Sequence, residues 1–194
     1  MKKIFSPLLA LASVCCAQQD TGRAAKPGPA YVNEAPLPLG WPQPGPYNRV
    51  TEKTYPASRA AVVKGDGETM TFFTLFAHIK RHDIPMTAPV EKSMVTSDGK
   101  LRQQSMAFLY QSDRVGTLGP DGKKVEVRNI PAMKALSYTW QGVDSMENIA
   151  KAKAALDHEL EARKTKASSF RMLGYNGPGT PGDKRTWELQ AVLN

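Results

Sequence analysis

Cysteine is nearly missing from this chain of 194 residues: there are two, Cys15 and Cys16, side by side near the start. No disulfide framework can staple the body of the chain, whose stability must come from a packed core. Long hydrophobic runs are missing too. The apolar stretch over residues 4–14 falls short of the roughly 20 residues that cross a bilayer, so no transmembrane segment is expected. There is no G-x-S-x-G elbow, P-loop, H-E-x-x-H pair or C-x-x-C pair, so the common local signatures of hydrolytic, nucleotide, zinc-protease and thiol-redox chemistry do not apply and no catalytic residue is assigned. The formal charge is +8, but Lys and Arg are scattered and never interleaved with aromatics. A solvated basic face or an anionic ligand is the meaning of that charge, and nucleic acid is not indicated as a partner.

What is there begins with Met1-Lys2-Lys3 and the apolar run over 4–14, the charged head and short apolar middle of a secretory signal peptide. Small residues before Gln18 favour cleavage after residue 17, which would remove both cysteines. The rival reading is a lipid anchor on Cys15 or Cys16. Either way the protein is expected to be exported, periplasmic or extracellular, as a bacterial protein would be. Residues 18–46 are rich in Pro and Gly. Repeated Pro denies ladder hydrogen bonds, so this stretch reads as a linker, with Trp41 packing back onto the domain. With 41% hydrophobic residues, the remainder, 47–194, suffices for one domain, and a monomer is expected.

Within that domain, Phe72, Leu75, Phe76 and Ile79 fall on one helical stripe with Phe76 near its centre, and Pro85 ends the helix near Asp83. A second helix starts with Asp144 three residues before Glu147, a capping-box-like signature, and carries Met146, Ile149, Leu156 and Leu160. Strand candidates flank both helices: 61–64, 90–96, 104–111, 124–128, 136–140, 168–175 and 185–193, with turn signals at Ser97-Asp98-Gly99 and Pro120-Asp121-Gly122. The last strand alternates Trp187, Leu189, Ala191 and Leu193 with Thr186, Glu188, Gln190 and Val192, giving one apolar and one largely polar face. Tyr55-Pro56-Ala57-Ser58-Arg59-Ala60 and Ile130-Pro131-Ala132-Met133-Lys134-Ala135 match in register, so the order reads as two β-β-α-β-β pseudo-repeats. That order argues for an α+β fold with an antiparallel sheet curling toward a barrel.

One stretch is specific. Ile84-Pro85-Met86-Thr87-Ala88-Pro89-Val90 resembles the M-T-A-P-V signature of the SOUL family of haem-binding proteins. The run from Val125 to Ala132 resembles the family's strand into its second half, and Tyr175-Asn176-Gly177-Pro178 with Arg185 and Glu188 resembles its ending. Gly177, Gly179 and Thr186-Trp187 depart from the usual Pro, Trp and Asn. The resemblance implies a distorted eight-stranded antiparallel β-barrel flanked by two long helices, and a haem or related tetrapyrrole as ligand.

Haem needs an apolar slot and donors for its propionates, and a His, Met, Cys or Tyr only where the iron is ligated. Phe73 and Met86 are the candidates for the ring, with Met70 and Met172 as further soft contacts. Lys80, Arg81, Lys184 and Arg185 are the candidates for the rim, and His82 is the candidate axial ligand to the haem metal. His78 and His82 share one helix face at i, i+4, yet no carboxylate or cysteine cluster completes a metal site; His158 lies off its stripe and reads as solvated. Two other functions stay open: a binder of another apolar small molecule, and a hydrolase on the related barrel fold, for which a buried Glu91 or Glu188 would be needed. The N-terminal reading is checked by mass spectrometry of the exported protein, which should begin at Gln18; an intact Met1 would refute it and a diacylglycerol-modified cysteine would make it an anchored lipoprotein.

Overall fold

Turn residues set the strand boundaries. Asp98 and Gly99 both adopt positive φ, 51° and 70°, the two-residue primed turn whose twist matches antiparallel strands. It joins β3 (Val90–Ser97) to β4 (Lys100–Leu109), so β4 starts four residues before the alternation alone indicates. In this computed structural model, which describes residues 30–193, these two strands belong to a single antiparallel sheet. Its other members are β1 (Val50–Tyr55), β2 (Ser58–Lys64), β5 (Gly119–Asp121), β6 (Val125–Ile130), β7 (Met133–Gln141), β8 (Ala167–Gly174) and β9 (Thr186–Leu193). Helix α1 (Glu68–Arg81) follows β2 and helix α2 (Met146–Ala162) follows β7. The expected signal peptide over 1–17, with Cys15 and Cys16, lies outside the described residues.

The sheet has nine strands in the order β1-β7-β9-β8-β3-β4-β2-β6-β5, not eight in a closed barrel. The ninth comes from a segment read as a turn: Gly119, Pro120 and Asp121 pair with Val127, Glu126 and Val125. That short strand extends the sheet past β6, and no ladder among the described residues joins it to β1 at the other end. The sheet is nonetheless curled. Tyr55 of β1, Ala135 of β7, Leu173 of β8, Ala60 and Val62 of β2, and Ala107 and Leu109 of β4 meet in one buried cluster, although the sheet order separates them widely.

Curling gives the strands two buried faces. Outside the curl, Leu156 and Leu160 of α2 pack on Leu136, Trp140, Leu189 and Ala191, while Leu75 and Ile79 of α1 pack on Ala61, Met106, Phe108 and Val127. Both faces of β9 are buried from Thr186 to Ala191, so its polar face turns inward rather than to water. There Glu188 accepts hydrogen bonds from Lys53 at 2.9 Å, Tyr55 at 3.0 Å, Thr139 at 3.2 Å and Tyr175 at 3.3 Å, and from Ser137 and Gln190. Burial pushes the hydroxyls of Tyr55 and Tyr175 well above the usual tyrosine range, which keeps them neutral donors. The Pro/Gly-rich stretch read as a linker is, from Ala30 on, laid against this end of the sheet. Trp41 meets the Tyr55 ring at 4.7 Å, and Gln43 offers its carbonyl to Lys53.

Two helix readings change. In α1 the buried residues are Thr71, Leu75, His78 and Ile79, a stripe turned by roughly 65° from the one drawn through Phe72 and Phe76 at 100° per residue. Phe76 is exposed and stacks beside Phe72 at 6.1 Å, while His78 is accepted inside because both ring nitrogens find partners. In α2 the cap is Ser145, whose hydroxyl accepts from the Asn148 N–H, one residue after the Asp144 expected there; Met146 is exposed and Ala152 takes the buried position instead.

The helix orientation is checked by a pair of truncations. Leu75→Ala should cost about 2–5 kcal/mol in urea unfolding, and Phe76→Ala no more than about 0.5 kcal/mol; equal losses would return Phe76 to the core. The interior charge gives a second expectation: Glu188→Gln strands the buried Lys53 ammonium and should destabilise by about 3–5 kcal/mol. A wild-type unfolding midpoint for Glu188→Gln would mean that Lys53 is neutralised by other means.

Candidate functional site

Where α1 turns its aromatic flank away from the core, it forms one wall of a cleft of about 670 Å³, within the ~300–1,000 Å³ typical of ligand pockets. Phe72, Phe73 and Phe76 come from α1, Met86 from the proline-bracketed segment after it, and Met106 and Trp187 from β4 and β9. Phe72 is fixed edge-on against Phe108 at 5.1 Å. The segment itself is pinned in two places: Thr87 Oγ1 donates to the Leu109 carbonyl at 2.6 Å, and the Ala88 N–H donates to the Pro36 carbonyl at 3.0 Å. Trp187 closes down because β8 carries Gly174 opposite it; a Cβ there would fall 2.7 Å from the indole Cζ3.

The far rim of the cleft is the loop between β8 and β9, tied to the N-terminal stretch. Glu34 accepts from the Gly177 N–H at 2.6 Å and from Thr180 Oγ1, and these bonds, Thr180's first, hold its carboxyl below the usual carboxylate range. Asn176 donates to the Val32 carbonyl at 2.7 Å. Arg185 lines the cleft and spends Nε on the Thr180 carbonyl and Nη2 on the Pro178 carbonyl, so part of its five-donor guanidinium stays free for an acceptor. Lys92 also lines it, under the Trp187 ring at 5.3 Å and paired with Glu68 at 2.6 Å.

The residues named from sequence therefore divide. Phe73, Met86 and Arg185 meet in the cleft. Lys80 lies 5.6 Å above the Phe76 ring, at the cleft's edge. Lys184 is exposed on the short turn Gly182–Lys184. Met70 is exposed, and Met172 is buried in the core beneath α2. Arg81 and His82 are on the other flank of α1. There the Asp121 carboxylate of β5 meets Arg81 Nη2, His78 Nδ1 and, at 3.1 Å, His82 Nε2. The hydrogen bonds from His78 first, then Arg81 and His82, hold Asp121 well below the usual carboxylate range. His78 Nε2 pairs with the Tyr110 hydroxyl at 2.7 Å, a phenol pushed up to about 12 by burial and the Asp121 charge.

Sequence reasoning passed over Phe72, Phe76 and Trp187 as ligand contacts by assigning them to core faces, and over Lys92 entirely. The alternation of β9 carried no sign that Trp187 lines a cleft; that depends on the gap left by Gly174. Of the two acids weighed for hydrolysis, Glu188 is enclosed by its donors and Glu91 pairs with Arg171 at 2.9 Å.

No curated protein matches the chain. Among solved structures, it is similar to the C-terminal domain of EcmrR, with 16% identity over 74% of this chain and 96% of that one and a TM-score of 0.54. A hydrolase from Listeria innocua has 14% identity, coverage of 76% and 93%, and a TM-score of 0.55. An uncharacterized conserved protein from Listeria innocua has 16% identity, the same coverage, and a TM-score of 0.57. Likeness at such identities concerns the fold alone. The profile that describes the SOUL heme-binding protein matches residues 46–191, three quarters of the chain, and takes in the proline-bracketed segment, the cleft's aromatic wall and the β8–β9 loop: the chain belongs to the SOUL family.

Proposed function

We propose that this protein binds haem or a related tetrapyrrole in the cleft between α1 and the β8–β9 loop. The observation that carries the reading is the cleft's composition: three phenylalanines, two methionines and a tryptophan face a space of about 670 Å³, with Arg185 at its rim. A flat macrocycle would exchange water for ring faces over most of its area, and its propionates would meet Arg185, with Lys80 nearby. Apolar contact would dominate. His82 does not line the cleft, so the grip requires no axial histidine, and Met86 is the soft side chain at hand. The enclosed Glu188 and paired Glu91 support a structural use of those acids over hydrolysis. Another flat apolar anion would use the same walls. Export, with cleavage after residue 17 or an anchor at Cys15 or Cys16, is part of the proposal and rests on the N-terminal sequence.

The reading is tested by titrating the purified protein with haemin and following the Soret band, which should shift and saturate at one equivalent. Phe73 is 60% exposed, so Phe73→Ala should leave the melting temperature alone. Losing a ring face of about 60 Å² should weaken haemin by roughly tenfold. Arg185→Ala should weaken it several-fold at low salt, converging with wild type as salt screens the pair. Absence of a saturable Soret shift would overturn the tetrapyrrole, and wild-type affinity in Phe73→Ala would move the ligand elsewhere.

A further inference from the structure

The other flank of α1 holds a set of groups that haem binding does not use. His78 and His82 stand at i, i+4 on one helix face, the spacing by which two imidazoles reach a common point, and their rings lie 4.7 Å apart. The third group comes from 39 residues further on: Asp121, at the end of the edge strand β5, directs its carboxylate between them. Ligand atoms of the three residues all lie within 4.8 Å of one another. A tetrahedral ion with bonds of about 2.0–2.1 Å needs its donors roughly 3.3 Å apart; the Asp121 carboxylate already lies within that distance of both imidazoles, and rotation of the exposed His82 side chain can adjust the rest.

We propose that His78 Nδ1, His82 Nε2 and the Asp121 carboxylate form a binding site for one divalent transition-metal ion of the Zn²⁺ class. Two imidazoles and a carboxylate are the donor set such ions prefer over the hard all-oxygen cages of Mg²⁺ and Ca²⁺. Three protein ligands leave a fourth position for water. The surroundings match a ligated imidazole. A metal on Nδ1 requires the ring proton on Nε2, and there the buried Tyr110 hydroxyl lies 2.7 Å away, able to accept as well as donate. An outer partner of this kind orients a ligating histidine and sets its tautomer. Arg81 occupies the same Asp121 oxygen. Its side chain is 58% exposed, so it can leave for water at little cost. The ion would then replace Arg81 as the positive charge that clamps the edge strand to the helix end.

The experiment uses the full, untagged chain with Cys15 and Cys16 replaced by serine, so that no thiol or tag competes. Zn²⁺ is titrated by calorimetry, and Co²⁺ by its visible d–d bands. Wild-type side chains at the site should bind one equivalent of either ion. His82→Ala should weaken Zn²⁺ at least tenfold, Tyr110→Phe roughly 10- to 100-fold as for an outer-shell partner, and His158→Ala not at all. Arg81→Ala should bind Zn²⁺ as tightly as wild type or several-fold tighter, because a competing cation is gone. Should His82→Ala also lower the metal-free melting temperature, the Arg81→Ala result decides: tighter or equal binding supports the site, and weaker binding overturns it. The site is likewise overturned by absence of saturation at one equivalent, or by wild-type Zn²⁺ affinity in His82→Ala. Haemin titration of His82→Ala should match wild type, so loss of the metal site and loss of the tetrapyrrole site are read separately.

Discussion

The Glu188 carboxylate is fully buried inside the curled sheet, and the surrounding strands are arranged to supply its hydrogen bonds. Lys53 and Tyr55 come from β1, Ser137 and Thr139 from β7, Gln190 from β9 itself, and Tyr175 from just past β8. An ion left short of partners in such a place is far more costly than a surface one. The network therefore constrains register as well as stability. Side chains alternate along β9, so a slip of one residue would turn Glu188 toward Leu156 and Leu160 of α2 and put Trp187 and Leu189 among the polar donors. The N-terminal stretch completes the enclosure, with Trp41 and the Gln43 carbonyl covering the end where Lys53 enters.

Around that interior, α1 acts as a divider. Its core face is narrow, carried by Leu75 and Ile79, and each remaining flank meets a different part of the sheet. One flank presents phenylalanines to a cleft closed below by Trp187, whose indole packs into the space that Gly174 leaves. The other presents imidazoles to Asp121, which ties the short edge strand β5 to the helix end. Edge strands invite unwanted pairing, and β5 limits it by its length, by Pro120 and by this clasp. The two flanks share a helix but no lining residue, so a ligand on one side and an ion on the other would not compete for the same groups.

The match to the SOUL family spans residues 46–191 and takes in the segment that follows α1. The proline-bracketed segment over residues 84–90 is what positions Met86 in the cleft, and its Thr87 and Ala88 anchor the strap through Leu109 and Pro36. The chain's departures cluster at the cleft as well: Gly177 bonds Glu34 through its backbone, and Trp187 supplies the floor.

Local chemistry decided a good deal without help from the rest of the chain. The Asp98-Gly99 hairpin, the helix stop before Pro85, the two helices and the alternation of β9 follow from φ preferences and periodicity within a few residues, and the motif at 84–90 was legible as it stands. Three things belong to the tertiary structure alone. The curl turned the polar face of β9 inward, because whether a strand's second face meets water depends on strands that are distant in sequence. The core stripe of α1 moved from Phe76 toward His78, because burying an imidazole is acceptable only when Tyr110 and Asp121, 32 and 43 residues away, satisfy it. Asp121 itself reads in sequence as a turn residue and nothing more; strand pairing carried it to the histidines, and no periodicity along the chain records a meeting made by long-range hydrogen bonds.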